Sequence, residues 1–304
     1  MKKKFKIGSV WTAIKKGAID FNNDNGFKLA ASLSYSMVFA MGPLVILVIS
    51  LVGIFWGHDA VQGRVYEQIK GMVGSAAASQ IQEIIKYTLR SRHTVAGAVF
   101  GGIVLVIGAT GVFTEIQSSI NYMWSVQAKP KKGWLKLIVN RLMSFSLIVG
   151  FGFISMVSLL VNSLMDLLSA WLQHYFSQFT VLFFYWVNLA LVLAVFVLLF
   201  MIIFRVLPDA TIRWKDAFIG AVFTALFFML GKAGIGLYLG HSNIGLMYGA
   251  AASIIVILTW VYYSSIILYF GAEFTKAYAM EHGYGIRPSS QAVFILKKES
   301  RELI

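Results

Sequence analysis

The stretch of residues 248–274 constrains the fold most, because it reads YGAAASIIVILTWVYYSSIILYFGAEF and is almost entirely apolar. The uncharged run is longer still, since residues 233–272 contain no Asp, Glu, Lys or Arg. About 20 apolar helical residues cross about 30 Å of hydrocarbon, so this run predicts a spanning helix. Small residues recur on one helical stripe, which predicts close packing against another helix; they are Gly245, Gly249 and Ser253.

The composition of the whole chain indicates the same class of protein. Apolar residues make up 58% of the sequence and charged residues 13%, whereas soluble domains are about 45–50% apolar and about 25% charged. The apolar runs are long and continuous, without the period-two alternation of a membrane β-barrel. We therefore predict an all-α, polytopic membrane protein.

Six apolar segments predict six transmembrane helices in a domain that covers residues 29–274. The predicted spans are about 29–56, 95–124, 142–165, 180–204, 217–238 and 247–274. The first span contains Gly42 and Pro43, and a proline within a helix removes a backbone hydrogen bond. This pair predicts a helix kink, which is either a static bend or a gating hinge.

The segments outside the spans have their own patterns. Residues 1–28 predict a cytoplasmic amphipathic segment on the membrane surface, with one apolar helical face made of Trp11, Ile14, Ala18 and Phe21. Residues 57–94 predict two short amphipathic helices in the first outer loop. Residues 275–304 predict a polar cytoplasmic tail with a poorly ordered end.

The distribution of basic residues predicts the orientation. Of the 26 Lys and Arg residues, 20 fall on the side of the two termini and 6 on the opposite side. The positive-inside rule therefore places both termini in the cytoplasm of a bacterium and the protein in its inner membrane. The same placement explains the net charge of +13 without nucleic-acid binding.

The sequence lacks several common patterns of catalytic and nucleotide-binding sites. The chain has no Cys, which excludes disulfides, thiolate catalysis and Cys-based metal sites. It contains neither an HExxH pattern nor a nucleotide-binding GxxxxGK[ST] loop. We expect no enzyme activity, no cofactor and no metal; the histidines predicted to lie outside are better explained as solvated loop residues than as a metal or proton-sensing site.

Ionisable residues near the predicted inner face are the strongest candidates for a functional site. Charged groups within or bordering a membrane are costly unless they are paired or wet, and they often mark a pathway. We predict an inner gate made of Glu115, Arg141, Arg205 and Glu273. The alternative is ordinary interfacial ion pairing, in which an arginine compensates Glu273 at its helix end. Near the outer face, Asp166 and Lys232 form a candidate polar pair.

Three sequence blocks carry a resemblance to a known family. They are AASLSYSMVFAMGP at 30–43, LPDATIRWKDAFIGAVFTALFF at 207–228 and YGAAASIIVILTWVYYSSIILYFGAEFTKAYA at 248–279, with a weaker NYMWSV at 121–126. The chain resembles the YihY/virulence factor BrkB family of bacterial inner-membrane proteins. The resemblance implies a six-helix membrane protein and brings no agreed catalytic residues. Members of the family have been called ribonuclease BN, and others have been linked to serum resistance or to envelope lipid movement. The resemblance therefore implies no single activity.

These observations lead to two functional hypotheses. The first is a transporter or flippase-like protein that acts on an amphiphilic, anionic envelope substrate, with membrane lipids as its surroundings. The second is a non-transporting scaffold that holds other envelope proteins. A ribonuclease is not expected, because phosphodiester chemistry commonly needs clustered carboxylates or histidines that hold metals, and the 13 acidic residues are mostly single. The oligomeric state is left open.

Overall fold

The structure is a computed structural model that describes residues 7–38, 79, 82, 111–129, 178–241, 252–282 and 285–297. Its main helices are α1 (Ile7–Asn23), α2 (26–38), α3 (111–123), α4 (Gln178–Val206), α5 (Trp214–His241) and α6 (Ala252–Glu281). Four short strands follow or separate them: β1 (Val126–Ala128), β2 (Ala210–Thr211), β3 (Arg287–Pro288) and β4 (Ala292–Phe294).

Three of the described helices are long and apolar enough to cross a membrane. Their candidate spans are Leu189–Val206 in α4, Trp214–Ile235 in α5 and Ile254–Glu281 in α6. This confirms a mostly helical membrane protein. The count of six spans, the side of each terminus and the amphipathic helices at 57–94 stay predictions, because most of the residues concerned lie outside the described part of the chain.

The C-terminal segment contains the end of α6 and two short strands. Helix α6 continues to Glu281, beyond the predicted end of the span at 274. Strand β4 then pairs antiparallel with β1, and β3 pairs antiparallel with β2. Residues 285–297 therefore hold two loops that are far apart in sequence. The end of the tail, which the sequence predicts to be poorly ordered, lies outside the described residues, so that prediction stays untested. We call the region formed by α1, residues 122–129, residues 207–213 and residues 282–297 the capped end of the bundle.

Phenylalanine side chains fill the contact between α4 and α5. Phe196, Phe200 and Phe204 recur every four residues on α4 and are all buried. The ring of Phe228 on α5 lies 4.7 Å from that of Phe196 and 5.8 Å from that of Phe200, measured between centroids. Such aromatic contacts stabilise the pair beyond the simple burial of their area.

Helices α5 and α6 approach each other through a repeated pentapeptide. It reads GAVFT at 220–224 in α5 and GAEFT at 271–275 in α6. Thr275 lies where a side chain at Gly220 would project, and Thr224 lies where a side chain at Gly271 would project. Each threonine hydroxyl donates a hydrogen bond to the carbonyl of the glycine four residues earlier in its own helix, at 2.7 Å and 2.6 Å. The contact is therefore reciprocal, and it depends on glycine at both positions.

Helix α1 packs along α6 instead of lying only on the membrane surface. Its buried residues are Ala13, Gly17 and Phe21, and a side-chain carbon at Gly17 would come within 3.0 Å of the backbone nitrogen of Phe274. The face buried against α6 differs from the predicted apolar face, since Trp11 is 70% exposed and Ala18 is exposed. Close approach between backbones selects small residues over large apolar ones, which explains the difference. The contact of these two side chains with the membrane surface stays a prediction.

We predict that Gly220→Ala destabilises the protein. The added carbon would meet Thr275, and overpacking of this kind costs about 1–3 kcal/mol. Unfolding of detergent-solubilised protein by dodecyl sulfate, followed by circular dichroism, measures the change. Gly234→Ala in the same helix is the matched control, because no heavy atom lies within 4 Å of its added carbon. Equal stability of the two variants would refute the close contact, and Gly220→Ala/Thr275→Ala should recover part of the loss.

The pairing of β1 with β4 predicts an efficient cross-link. Gln127 lies directly opposite Val293, so their side chains project from the same face of the ladder. The chain contains no cysteine, which makes Gln127→Cys/Val293→Cys a clean pair for oxidation with copper phenanthroline. We expect rapid disulfide formation, seen as a mobility shift on a gel. Gln127→Cys/Phe294→Cys places the thiols on opposite faces, and equal cross-linking of both pairs would contradict this register.

Candidate functional site

The capped end of the bundle is built around a buried carboxylate. Glu273 lies in α6 at the centre of the pentapeptide 271–275, and its side chain is 0% exposed. One of its oxygens, Oε2, accepts a hydrogen bond from Nζ of Lys276 at 2.9 Å. The other oxygen, Oε1, is buried and has no hydrogen-bond partner among the described residues. A buried carboxylate with one unsatisfied oxygen is costly, so this position is unusual for a spanning helix.

The ammonium group of Lys276 is shared between three helices. It lies 3.8 Å from Oδ2 of Asp20 and 3.7 Å from Oδ2 of Asp24, both at the end of α1. It also donates a hydrogen bond to the backbone carbonyl of Met123 at 2.7 Å. That carbonyl lies at the C-terminus of α3, where the helix dipole favours a positive charge. A single cation therefore joins α1, α3 and α6.

A second lysine connects the end of the described chain to the same cluster. Nζ of Lys297 lies 2.6 Å from Oδ1 of Asp24 and 3.9 Å from the centroid of the Tyr122 ring. The carboxylate of Asp24 thus lies between two ammonium groups. The indole nitrogen of Trp124 adds a hydrogen bond to the carbonyl of Ala272 at 3.1 Å. We call Asp20, Asp24, Glu273, Lys276 and Lys297 the charged cluster.

A separate polar contact fixes the turn between α4 and α5. Asn121 donates a hydrogen bond from Nδ2 to Oδ2 of Asp209 at 2.8 Å, and it accepts one at Oδ1 from the backbone nitrogen of Asp209 at 2.8 Å. Gln117 donates to the same carboxylate oxygen at 3.3 Å. The carbonyl of Asp209 accepts a hydrogen bond from the backbone nitrogen of Ser289 at 2.9 Å. This turn is therefore held by α3 and by the C-terminal segment together.

The described members of the predicted inner gate have different contacts. Within the described part of the chain, the cation paired with Glu273 is Lys276, whereas the guanidinium carbon of Arg205 lies 5.4 Å from the centroid of the Trp214 ring. Glu115 is partly buried on α3, and no ion pair joins it to Glu273 or Arg205 among the described residues. Whether these residues act as a gate stays a prediction.

Two of the other predicted site residues lie in the described part of the chain. Lys232 lies on α5 and is partly buried. Of Ser253 the structure describes only the backbone, within α6. The remaining predicted residues lie outside the described part of the chain, and they are Gly42, Pro43, Arg141, Asp166, Gly245 and Gly249.

Sequence reasoning missed most of the charged cluster. Asp20 and Asp24 precede Lys276 by more than 250 residues, and their proximity depends on how α1 packs on α6. Two features of the local sequence did point to this region. Glu273 and Lys276 are three residues apart and therefore neighbours on a helix, and the pentapeptide GAxFT occurs twice.

Comparison with known sequences now settles the family. The sequence profile of virulence factor BrkB matches residues 18–294. The chain belongs to the virulence factor BrkB family. This confirms the resemblance of the three sequence blocks. Proteins with the name UPF0761 membrane protein are similar to this BrkB-family chain, and their names and bacterial origin, with the spanning helices, confirm its membrane location.

These relatives cover most of the chain at low identity. One from Saccharophagus degradans is 27% identical over 289 residues, which are 90% of this chain and 63% of the relative. One from Vibrio vulnificus is 24% identical over 297 residues, 93% of this chain and 86% of the relative. One from Alcanivorax borkumensis is 28% identical over 267 residues, 84% of this chain and 58% of the relative. The chain thus spans less than two thirds of several relatives, and no solved structure matches it.

We predict that Lys276→Gln strongly destabilises the capped end. The substitution leaves the buried carboxylate of Glu273 without its cation, and breaking a buried ion pair from one side costs about 3 kcal/mol or more. The measurement is unfolding by dodecyl sulfate in detergent, with Lys16→Gln as the control, since Lys16 is exposed on α1. Glu273→Gln/Lys276→Gln should recover much of the loss, because no unpaired charge stays at Glu273. A Lys276→Gln variant as stable as the control would refute the role of this ion pair.

Proposed function

We propose that this BrkB-family chain is a transporter or flippase-like protein that moves an amphiphilic, anionic substrate across the bacterial inner membrane. One observation carries the proposal: a fully buried carboxylate, Glu273, lies within a helix that is apolar enough to span the membrane. Ionisable groups in such helices are costly and commonly belong to a pathway for ions or substrates. Its Oε1 atom has no described partner, so the position is not explained by ion pairing alone.

The charge of the chain supports an anionic substrate. The net charge is +13, and 20 basic residues fall on the side predicted to face the cytoplasm. A surface of one sign raises the local concentration of molecules of the opposite sign. The chain contains no nucleotide-binding GxxxxGK[ST] loop, so we propose that an ion gradient, a substrate gradient or a partner protein supplies the driving force.

The alternative is a scaffold that holds other envelope proteins. It is favoured by the capped end, where β3 pairs with β2 and β4 pairs with β1, so that two loops far apart in sequence are held together. It is also favoured by α1, which exposes Trp11 and Ile19 on the side that does not contact α6. An exposed apolar face of this kind is suited to a protein partner or to the membrane interface.

Movement of a labelled lipid tests the proposal. The purified chain is reconstituted into vesicles that contain phosphatidylglycerol with a nitrobenzoxadiazole label, and dithionite bleaching reports lipid that reaches the outer leaflet. We expect the chain to accelerate this movement over protein-free vesicles. We expect Glu273→Gln to slow it about tenfold, the change produced by about 1.4 kcal/mol in barrier height.

The control for this experiment is Lys16→Gln, which removes an exposed charge outside the charged cluster. Its rate should match that of the unmodified chain. A rate equal to that of protein-free vesicles, with or without a pH gradient, would rule out flippase activity towards this lipid and leave the scaffold as the better explanation. A Glu273→Gln variant with the full rate would remove the assigned role of the buried carboxylate.

A further inference from the structure

The turn between α4 and α5 lies where two candidate spans end. One span ends at Val206 and the next begins at Trp214, so side chains near these residues lie at the boundary between hydrocarbon and headgroups. Tryptophan is enriched at this depth because its ring is apolar and its nitrogen is polar. Trp214 is 56% exposed on the outer surface of the bundle.

Arg205 lies beside this tryptophan with unused hydrogen-bonding capacity. Its guanidinium carbon is 5.4 Å from the centroid of the Trp214 ring, within the range of a cation–π contact. Its Nε atom is buried and has no hydrogen-bond partner in the described part of the chain. A guanidinium carries five N–H donors in a planar fork that matches the oxygens of a phosphate. The buried Nε is covered by the protein, so the Nη groups of this partly exposed side chain are the donors that an anion would contact.

The charges around Arg205 leave a local positive excess. Arg213 is already compensated, because its Nε and Nη2 atoms donate hydrogen bonds to the two carboxylate oxygens of Asp216 at 2.9 Å and 3.0 Å. Lys215 is exposed next to Trp214. Among the described residues, no carboxylate lies within ion-pair distance of Arg205 or Lys215. Two positive charges at this turn are therefore uncompensated by described residues.

Apolar surface adjoins the two charges on the hydrocarbon side. Trp214 and Phe218 are four residues apart and share one face of α5, and Phe218 is 50% exposed. Val206, at the end of α4, is also exposed. A ligand that satisfies this surface needs an anionic group for Arg205 and Lys215 and an apolar chain for the neighbouring side chains.

We propose that the turn between α4 and α5 holds an anionic glycerophospholipid. Arg205 and Lys215 contact its phosphate groups, the indole of Trp214 packs beside the headgroup, and Phe218 and Val206 contact an acyl chain. A basic residue near a membrane surface favours an anionic lipid about fivefold over a zwitterionic one. This proposal stands on the contacts of the turn and does not depend on transport.

Quenching of Trp214 fluorescence tests the site directly. The full chain is placed in vesicles that mix unlabelled lipid with brominated phosphatidylglycerol or brominated phosphatidylcholine, and Trp214→Phe is subtracted to isolate the signal of Trp214. We expect half-maximal quenching at a mole fraction of brominated phosphatidylglycerol at least about fivefold lower than that of brominated phosphatidylcholine. Excess inorganic phosphate should leave this preference in place, because the acyl chain is part of the ligand.

Charge-matched variants complete the test. Arg205→Gln/Lys215→Gln should remove the preference for phosphatidylglycerol, whereas Lys15→Gln/Lys16→Gln, which loses the same charge from exposed positions on α1, should retain it. Equal quenching by the two lipids in the unmodified chain would overturn the proposal even if the variants failed to fold. Retention of the full preference in Arg205→Gln/Lys215→Gln, or its loss in the α1 variant or with phosphate, would overturn it as well.

Discussion

The ammonium group of Lys276 is the contact on which the capped end depends. Charges at a membrane border need partners, because the hydrocarbon offers none. Lys276 meets this need for Glu273 and, through its distances to Asp20 and Asp24, draws the end of α1 onto α6. Its bond to the carbonyl of Met123 adds the end of α3. Three helices from opposite parts of the sequence are therefore positioned by one side chain.

Close backbone packing is the second constraint, and it acts where no charge is present. Spanning helices gain little from apolar contact with each other, because lipid tails are as apolar as their side chains. The reciprocal glycine–threonine contacts of α5 and α6 supply attraction by bringing the two backbones together. The threonine hydroxyls bond within their own helices, so these two buried hydroxyls need no partner on the other helix. Helices α5 and α6 are thus expected to move as one body.

The C-terminal segment connects the loops and helix ends that form the capped end. Strands β3 and β4 satisfy backbone groups of two loops that enter the capped end from different helices. Lys297 then returns to Asp24 at the end of α1. Asp209 has a similar role in the turn between α4 and α5, since its side chain binds α3 and its carbonyl binds the C-terminal segment. The contacts of Asp209 thus fix the turn that follows Arg205 and precedes Trp214.

The sequence by itself determined the class of protein and the approximate bounds of α4 and α5, because hydrocarbon requires long apolar helices and such runs are visible in one dimension. It also contained both halves of the repeated pentapeptide, although only the helix pair shows that each threonine covers the other glycine. Tertiary structure decided the buried face of α1, the approach of Asp20 and Asp24 to Lys276, and the pairing of β3 with β2 and of β4 with β1. These contacts join residues that are far apart in the chain. Which of the possible contacts form depends on how closely the helix backbones approach and on which charged groups are then buried together in a low-dielectric environment.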